Sequence, residues 1–326
     1  MITTRPYEED GGNIMKSQGP TFRRRAFAIA SPCLALVVAL TCLGLSGGVA
    51  KAQKTDSPGK TDTPEKEFED FDRNTFERST NVDNPWFPLK PGTQYVHRGS
   101  TTERGKRIPH RLVTIVTDLT KVIDGVRTVV VWIEDYKAGK LDEAELAFFA
   151  QDKGGNVWYL GEHPEEYMNG RVVKAPTWIH GLNESRAGIA MYAAPRLGTP
   201  SYSQGWAPSV NWTDRATVDQ TGQKTCVPVR CYEEVLVIAE TSKAEPDAQQ
   251  LKYYARGVGK VRVGWRGEGE KLQEVLELTE LSQLGPEALA KARAAALKLE
   301  RSAYKISKDV YGATSPAEHM PSAQGR

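Results

Sequence analysis

Scarcity narrows the chemistry of this 326-residue chain before any motif does. It has only four cysteines and five histidines, and His97, His110, His163, His180 and His319 are scattered without metal-type spacing. No Cys pair meets a second pair or a nearby His, so no tetrahedral metal set is predicted. No serine among Ser185, Ser201 and Ser203 sits in a nucleophile-elbow frame. Gly257-Val258-Gly259 follows a strand pattern without opening a helix, which excludes a dinucleotide loop. The stretch Asp152 to Asn156 lacks the alternating carboxylates of a calcium loop and reads as a plain turn. Glu143, Glu145, Asp152 and Glu162 could form a carboxylate pair, but solvated hairpin flanks explain them more simply. The sequence therefore names no catalytic residue, no metal and no cofactor.

Charge of one sign is missing as well. Arg23, Arg24 and Arg25 precede an apolar run from Ala26 to Leu45, and Ala50-Lys51-Ala52 supplies a small-x-small cleavage pattern. Residues 1–52 read as a signal peptide, with an uncleaved N-terminal anchor as the alternative. That segment holds six of the 43 Lys/Arg and three of the 41 Asp/Glu, which leaves 37 bases and 38 acids in a mature chain of 274 residues. So balanced a surface predicts no nucleic-acid partner, and membrane contact only through the N-terminal segment if it is retained. The expected location is outside the cytoplasm: secreted, periplasmic or envelope-associated.

Residues 53–67, rich in Lys, Thr, Asp, Ser and Pro, carry no apolar periodicity and read as a disordered linker. Asn84 to Thr93 contains three prolines that cannot sit inside a sheet, so its Trp86, Phe87 and Leu89 are expected to cap one end of a core. Beyond it, strand-like runs follow at short intervals. Asp124-Gly125 marks a two-residue hairpin, and Gly154-Gly155-Asn156 joins two aromatic-rich strands spanning 143–162. Both faces of the run from Arg127 to Tyr136 are apolar, which implies that each face is covered. Residues 163–215 read as long loops with short strands. The predicted fold is mainly β over 68–284, a curved or partly closed antiparallel meander sheet with long loops and one C-terminal α-helix.

That helix, within 285–312, opens on Pro286 and carries a narrow stripe from Leu289 through Ala292, Ala296, Leu299, Ala303 and Ile306 to Val310. Residues 313–326 read as a mobile tail. In Cys226-Val-Pro-Val-Arg-Cys231, Pro228 presets a tight turn that brings the two cysteines face to face, and export makes a disulfide expected.

Four segments carry a family resemblance: Asn84 to Thr93, Phe149 to Tyr159, Gly188-Ile189-Ala190-Met191 and Lys252 to Gly259. Through them the chain resembles a family of uncharacterised exported bacterial proteins that share a domain of unknown function. Where relatives place an acidic residue and Trp-Tyr ahead of Ala-Gln-Asp, this chain has Ala147-Phe148-Phe149. The resemblance implies a sheet similar to those of exported lipid carriers and carries over no activity.

The aromatic group is the one positive functional signal. Some of Trp132, Phe149, Trp158 and Trp178 are expected to line a cavity of at least roughly 300 Å³. Alternation allows only one of Trp158 and Tyr159 to face it, and Trp158 is the residue expected to do so because it shares a face with Trp132. The predicted function is non-catalytic binding of an apolar small molecule or lipid. A hydrolase of cell-envelope material and a structural or protein-interaction module, with its partner unidentified, are the alternatives.

Overall fold

The computed structural model describes residues 66–320 apart from Arg104, Lys243 and Ala244. The export segment and nearly all of the linker lie outside the described residues. After a single 3₁₀ turn at Arg73–Thr75, the chain runs through β1 (Thr93–Glu103), β2 (Lys106–Ile123), β3 (Val126–Lys137), β4 (Lys140–Gln151) and β5 (Val157–Met168) as successive antiparallel neighbours. Four short strands follow: β6 (Arg171–Lys174), β7 (Trp178–Ile179), β8 (Arg186–Met191) and β9 (Tyr202–Ser203). Then come β10 (Gly205–Trp206), β11 (Asp214–Val227), β12 (Arg230–Ser242), β13 (Glu245–Ala255), β14 (Gly259–Arg266) and β15 (Val275–Gln283). Helices α1 (Pro286–Ile306) and α2 (Lys308–Tyr311) precede a last short strand, β16 (Glu318–His319).

The fold is mainly β, one 16-stranded antiparallel sheet that curves on itself without closing into a barrel. Its two spatial edges are mid-chain. Tyr202 and Ser203 pair with β11, while Gly205 and Trp206, one residue further on, pair with β8, so a single kinked segment spans the gap between the edges. Gly205 makes this possible at φ +153°, where a Cβ would lie 2.3 Å from the Trp212 ring. The first strand, β1, and the last long strand, β15, in contrast, pair with each other from Thr93↔Gln283 to Ser100↔Val275 in the middle of the ladder.

Local turn chemistry explains the meander. Asp124 and Gly125 both take positive φ, 44° and 80°, as a two-residue hairpin turn requires. In the β4–β5 turn the Asp152 carboxylate accepts from Asn156 N and Nδ2 and from Trp158 Nε1, which leaves it no role as a cation loop.

Helix α1 covers the convex face. Ala292, Ala296, Leu299 and Ala303 of the predicted stripe are buried, while Ile306 is 48% exposed. Arg293 forks onto Asp118 of β2 at 2.8 and 2.6 Å. The stripe also buries Glu300, which meets Lys121 of β2 at 3.0 Å. After Gly312, where the sequence implies a mobile tail, the chain instead turns back and Glu318 and His319 pair with Thr120 and Leu119 of β2.

Cys226 and Cys231 are opposite each other in the β11–β12 hairpin and form a disulfide. The ring they close is short, so reduction is expected to lower unfolding stability by about 2 kcal/mol on the loop-entropy account. Denaturant midpoints measured with and without reductant check this, and coincident midpoints would contradict it.

Candidate functional site

Period-two alternation gives the sheet a concave face whose character changes along each strand. On β3 the inward residues are Val131, Ile133 and Asp135; on β4 they are Phe149, Glu145 and Glu143; on β13 they are Tyr254, Lys252 and Gln250. The apolar end is plugged by Phe87, Pro88 and Leu89, with the Phe87 ring 5.2 Å from Phe149 and 6.2 Å from Tyr254. The other end is polar. Between them lies a cavity of about 360 Å³, contiguous through Asp135, Glu143, Glu162, Gln250 and Glu274 with a smaller hollow of about 210 Å³.

Seven carboxylates line the main cavity (Asp135, Glu143, Glu145, Glu162, Asp214, Glu240 and Glu274) against two lysines, Lys252 and Lys260. The Tyr159 hydroxyl lies between Glu162 and Glu145, 3.1 Å from the latter, and burial together with these two charges raises its pKa well above the ordinary phenol value. Lys252 pairs with Glu240, which also accepts from Gln204 Nε2 at 3.0 Å. The Lys260 amine makes no hydrogen bond or ion pair among the described residues. Burial and the Lys252 charge pull its pKa down to about 8, against the opposing pull of Glu240, Glu274 and Glu145.

Two histidines of the concave face sit in opposite electrostatic settings. His97 of β1, 1% exposed, donates through Nε2 to the Lys260 carbonyl at 2.9 Å, which leaves Nδ1 as a lone-pair acceptor without a partner. Burial, joined by the nearby Lys260 charge, pushes its pKa down to about 3. His110 of β2 is held between Asp135 at 2.7 Å and Glu274 at 3.1 Å. Burial opposes its charge, but these two hydrogen-bonded carboxylates outweigh it and raise the pKa to about 9.

Of the four aromatics expected at the cavity, only Phe149 lines it. Trp132 and Trp158 do share a face, but it is the convex one. Trp132 packs with Val96, Val113, Ile115 and Ala292 near α1, and Trp158 is covered edge-on by Phe71 and Phe76 at 5.4 and 6.1 Å. Trp178 is fully buried behind the wall, stacked on Trp212 at 4.8 Å and edge-on to Tyr159 at 5.2 Å. Tyr159 takes the place expected for Trp158, because Phe149 pairs with Tyr159 and the two rings stack at 4.6 Å on the concave side. With α1 and the 68–76 segment covering the convex face, both faces are apolar, and hydrophobicity alone cannot say which is concave.

The carboxylates are the second difference. Glu143, Glu145 and Glu162, read as solvated flanks, are each at most 9% exposed and line the interior, whereas Asp152 is spent on its turn. Lys260 and His97 carried no sequence signal beyond their alternation with apolar neighbours. Among the described residues no group of three or more His, Cys, Asp or Glu is arranged to hold a metal ion.

No family model matches the chain, and no curated protein does. Among solved structures, a protein with a YmcC-like fold from Bacteroides fragilis aligns at 15% identity and TM-score 0.36, covering 60% of this chain and 98% of that one. A beta-barrel-like protein of a domain of unknown function from Brucella abortus aligns at 9% identity and TM-score 0.32, covering 60% and 100%. Likenesses this remote transfer neither residue roles nor ligands.

Proposed function

We propose that this is an exported binding protein whose curved sheet holds a small amphipathic molecule. The N-terminal pattern of three arginines, an apolar run and Ala50-Lys51-Ala52 supports export. The observation that carries the binding reading is the graded cavity, aromatic and plugged at Phe87, Phe149 and Tyr254, acidic at Glu143, Glu145 and Glu162. At about 360 Å³ its volume lies at the small end of the range for ligand pockets, roughly 300–1,000 Å³. A wholly apolar lipid, the expectation from aromatic content alone, would take solvent away from the carboxylates that line the acidic end. A molecule with an apolar body and a neutral or cationic hydrogen-bond-donating end satisfies both regions.

Titration calorimetry with ten-carbon probes below their micelle concentration tests this. Decylamine and decanol should bind, and decanoate about tenfold or more weaker, a difference of ~1.4 kcal/mol in affinity. Ile133→Trp, which fills the cavity from β3, should abolish binding of all three while the thermal midpoint holds. Equal affinity for the three heads, or binding untouched by Ile133→Trp, would defeat the reading.

A further inference from the structure

Among the ionisable groups of the cavity, Lys260 stands out because its neighbours are committed and it is not. Lys252 is paired with Glu240, and Tyr159 is held between Glu145 and Glu162. The Lys260 amine opens onto the same space with no hydrogen bond or ion pair among the described residues. Its own carbonyl is fixed by His97, whose Nδ1 is a buried polar atom without a hydrogen-bond partner on the same wall. A lysine kept to bind an anion would be poorly placed here, since seven carboxylates line the cavity against two lysines and would repel any carboxylate or phosphate that entered. A neutral electrophile meets no such barrier.

We propose that Lys260 is a carbonyl-reactive amine that captures an aldehyde or ketone as an imine, so that the cavity's ligand is a small amphipathic carbonyl compound. The proposal rests on the cavity being a ligand site and adds the chemistry of its attachment. The unprotonated Nζ attacks the carbonyl carbon and forms a carbinolamine. Loss of the former carbonyl oxygen as water, taking both amine hydrogens, leaves the carbon–nitrogen double bond, and no oxidant or reductant is consumed. Glu145, Glu240 and Glu274, whose charges already act on this amine, favour the imine once it is protonated. A ligand hydroxyl beside the carbonyl would donate to His97 Nδ1. The lowered pKa of Lys260 makes the step accessible near neutrality, because at pH 8 about half of such amines are unprotonated, compared with well under 1% of ordinary lysines at ~10.4.

The test is reductive trapping of the intact protein with hexanal and cyanoborohydride at pH 8, followed by peptide mass spectrometry. The first adduct should lie on Lys260 and form ~100-fold faster than the average surface lysine adduct, the ratio of unprotonated fractions. Lys260→Arg should lose that early adduct at an unchanged thermal midpoint. Adducts spread over surface lysines with Lys260 lagging would overturn the proposal, as would decanoate binding the wild type more tightly than Lys260→Met with no early hexanal adduct, which would mark an anion site. Decylamine and decanol separate the two claims. If they bind Lys260→Arg and wild type alike while hexanal fails to react, imine capture falls and the cavity reading stands; if they bind neither, the cavity reading falls.

Discussion

Lys121→Met is expected to destabilise the protein by about 3–5 kcal/mol, the cost of removing one partner from a buried ion pair. The Lys121 side chain is fully buried, and its ammonium is bound to Glu300 at 3.0 Å, to the Ser315 carbonyl at 2.6 Å and to the Tyr304 hydroxyl at 3.3 Å. It also lies 4.3 Å from the centroid of the Tyr311 ring. Burial nonetheless outweighs Glu300 and lowers the Lys121 pKa, a sign of how much solvation both charges forgo. Glu300 is 4% exposed and also accepts from the Ala317 amide at 2.9 Å, so without Lys121 its carboxylate would remain buried and uncompensated. Lys121→Met with Glu300→Gln removes both charges and keeps an acceptor for Ala317, and it should recover most of the loss. Urea midpoints decide the matter. A single replacement that costs less than ~1 kcal/mol, the scale of an exposed pair, would show that the charges are not desolvated.

Stability should also peak near pH 6.5 and fall on both sides, because His97 and His110 are shifted in opposite directions. The pKa of His110 is raised in the folded state to about 9, above its unfolded value of ~6.5. Its contribution is complete below pH 6.5 and is lost as pH rises through 9, a change of about 3 kcal/mol. His97 is lowered to about 3 when folded, so an unfolded chain takes up a proton that the folded one refuses. Its contribution is present above pH 6.5 and is lost as pH falls toward 3, on a similar scale of several kcal/mol. At pH 6.5 the unfolded pair binds about one proton and so does the folded pair, which places the maximum there. His110→Gln should flatten the alkaline limb, and His97→Gln the upper part of the acid limb before carboxylates titrate. Urea titrations from pH 4 to 9.5 read these slopes whatever each variant does to the baseline. A profile that declines on one side only would refute the opposed-histidine account.

Much of the architecture was legible because it rests on short-range chemistry. The Asp124-Gly125 turn, the Cys226 to Cys231 hairpin and the proline-stiffened Phe87 to Leu89 plug are each set by residues within ten positions of one another. The opposite facing of Trp158 and Tyr159 was legible too, since alternation along one strand is a local rule. What the sequence withheld was long-range. Nothing local pairs Thr93 with Gln283, and nothing in the small-residue stripe of α1 shows that Glu300 turns inward to meet a lysine 179 positions away. The site was least legible of all. Charged residues alternating with apolar ones describe a half-solvated strand equally well, so Glu143, Glu145, Lys252 and Lys260 became interior only once the sheet curved round them.

Pairing of the first strand with the last long one sets an order on folding during synthesis. Strands β1 to β5 can zip as successive hairpins soon after they emerge, but the outer edge of β1 then stays open until β15 has been made, about 170 residues later. An unpaired edge eight residues long is a template for association with another growing chain. The nascent molecule is therefore most exposed to aggregation in the interval before β15 arrives. A chain rejoined across the ends of its folded part and reopened between β8 and β9 would make β15 before β1 with only α1, α2, β16 and the segment ahead of β1 between them, which shortens the interval.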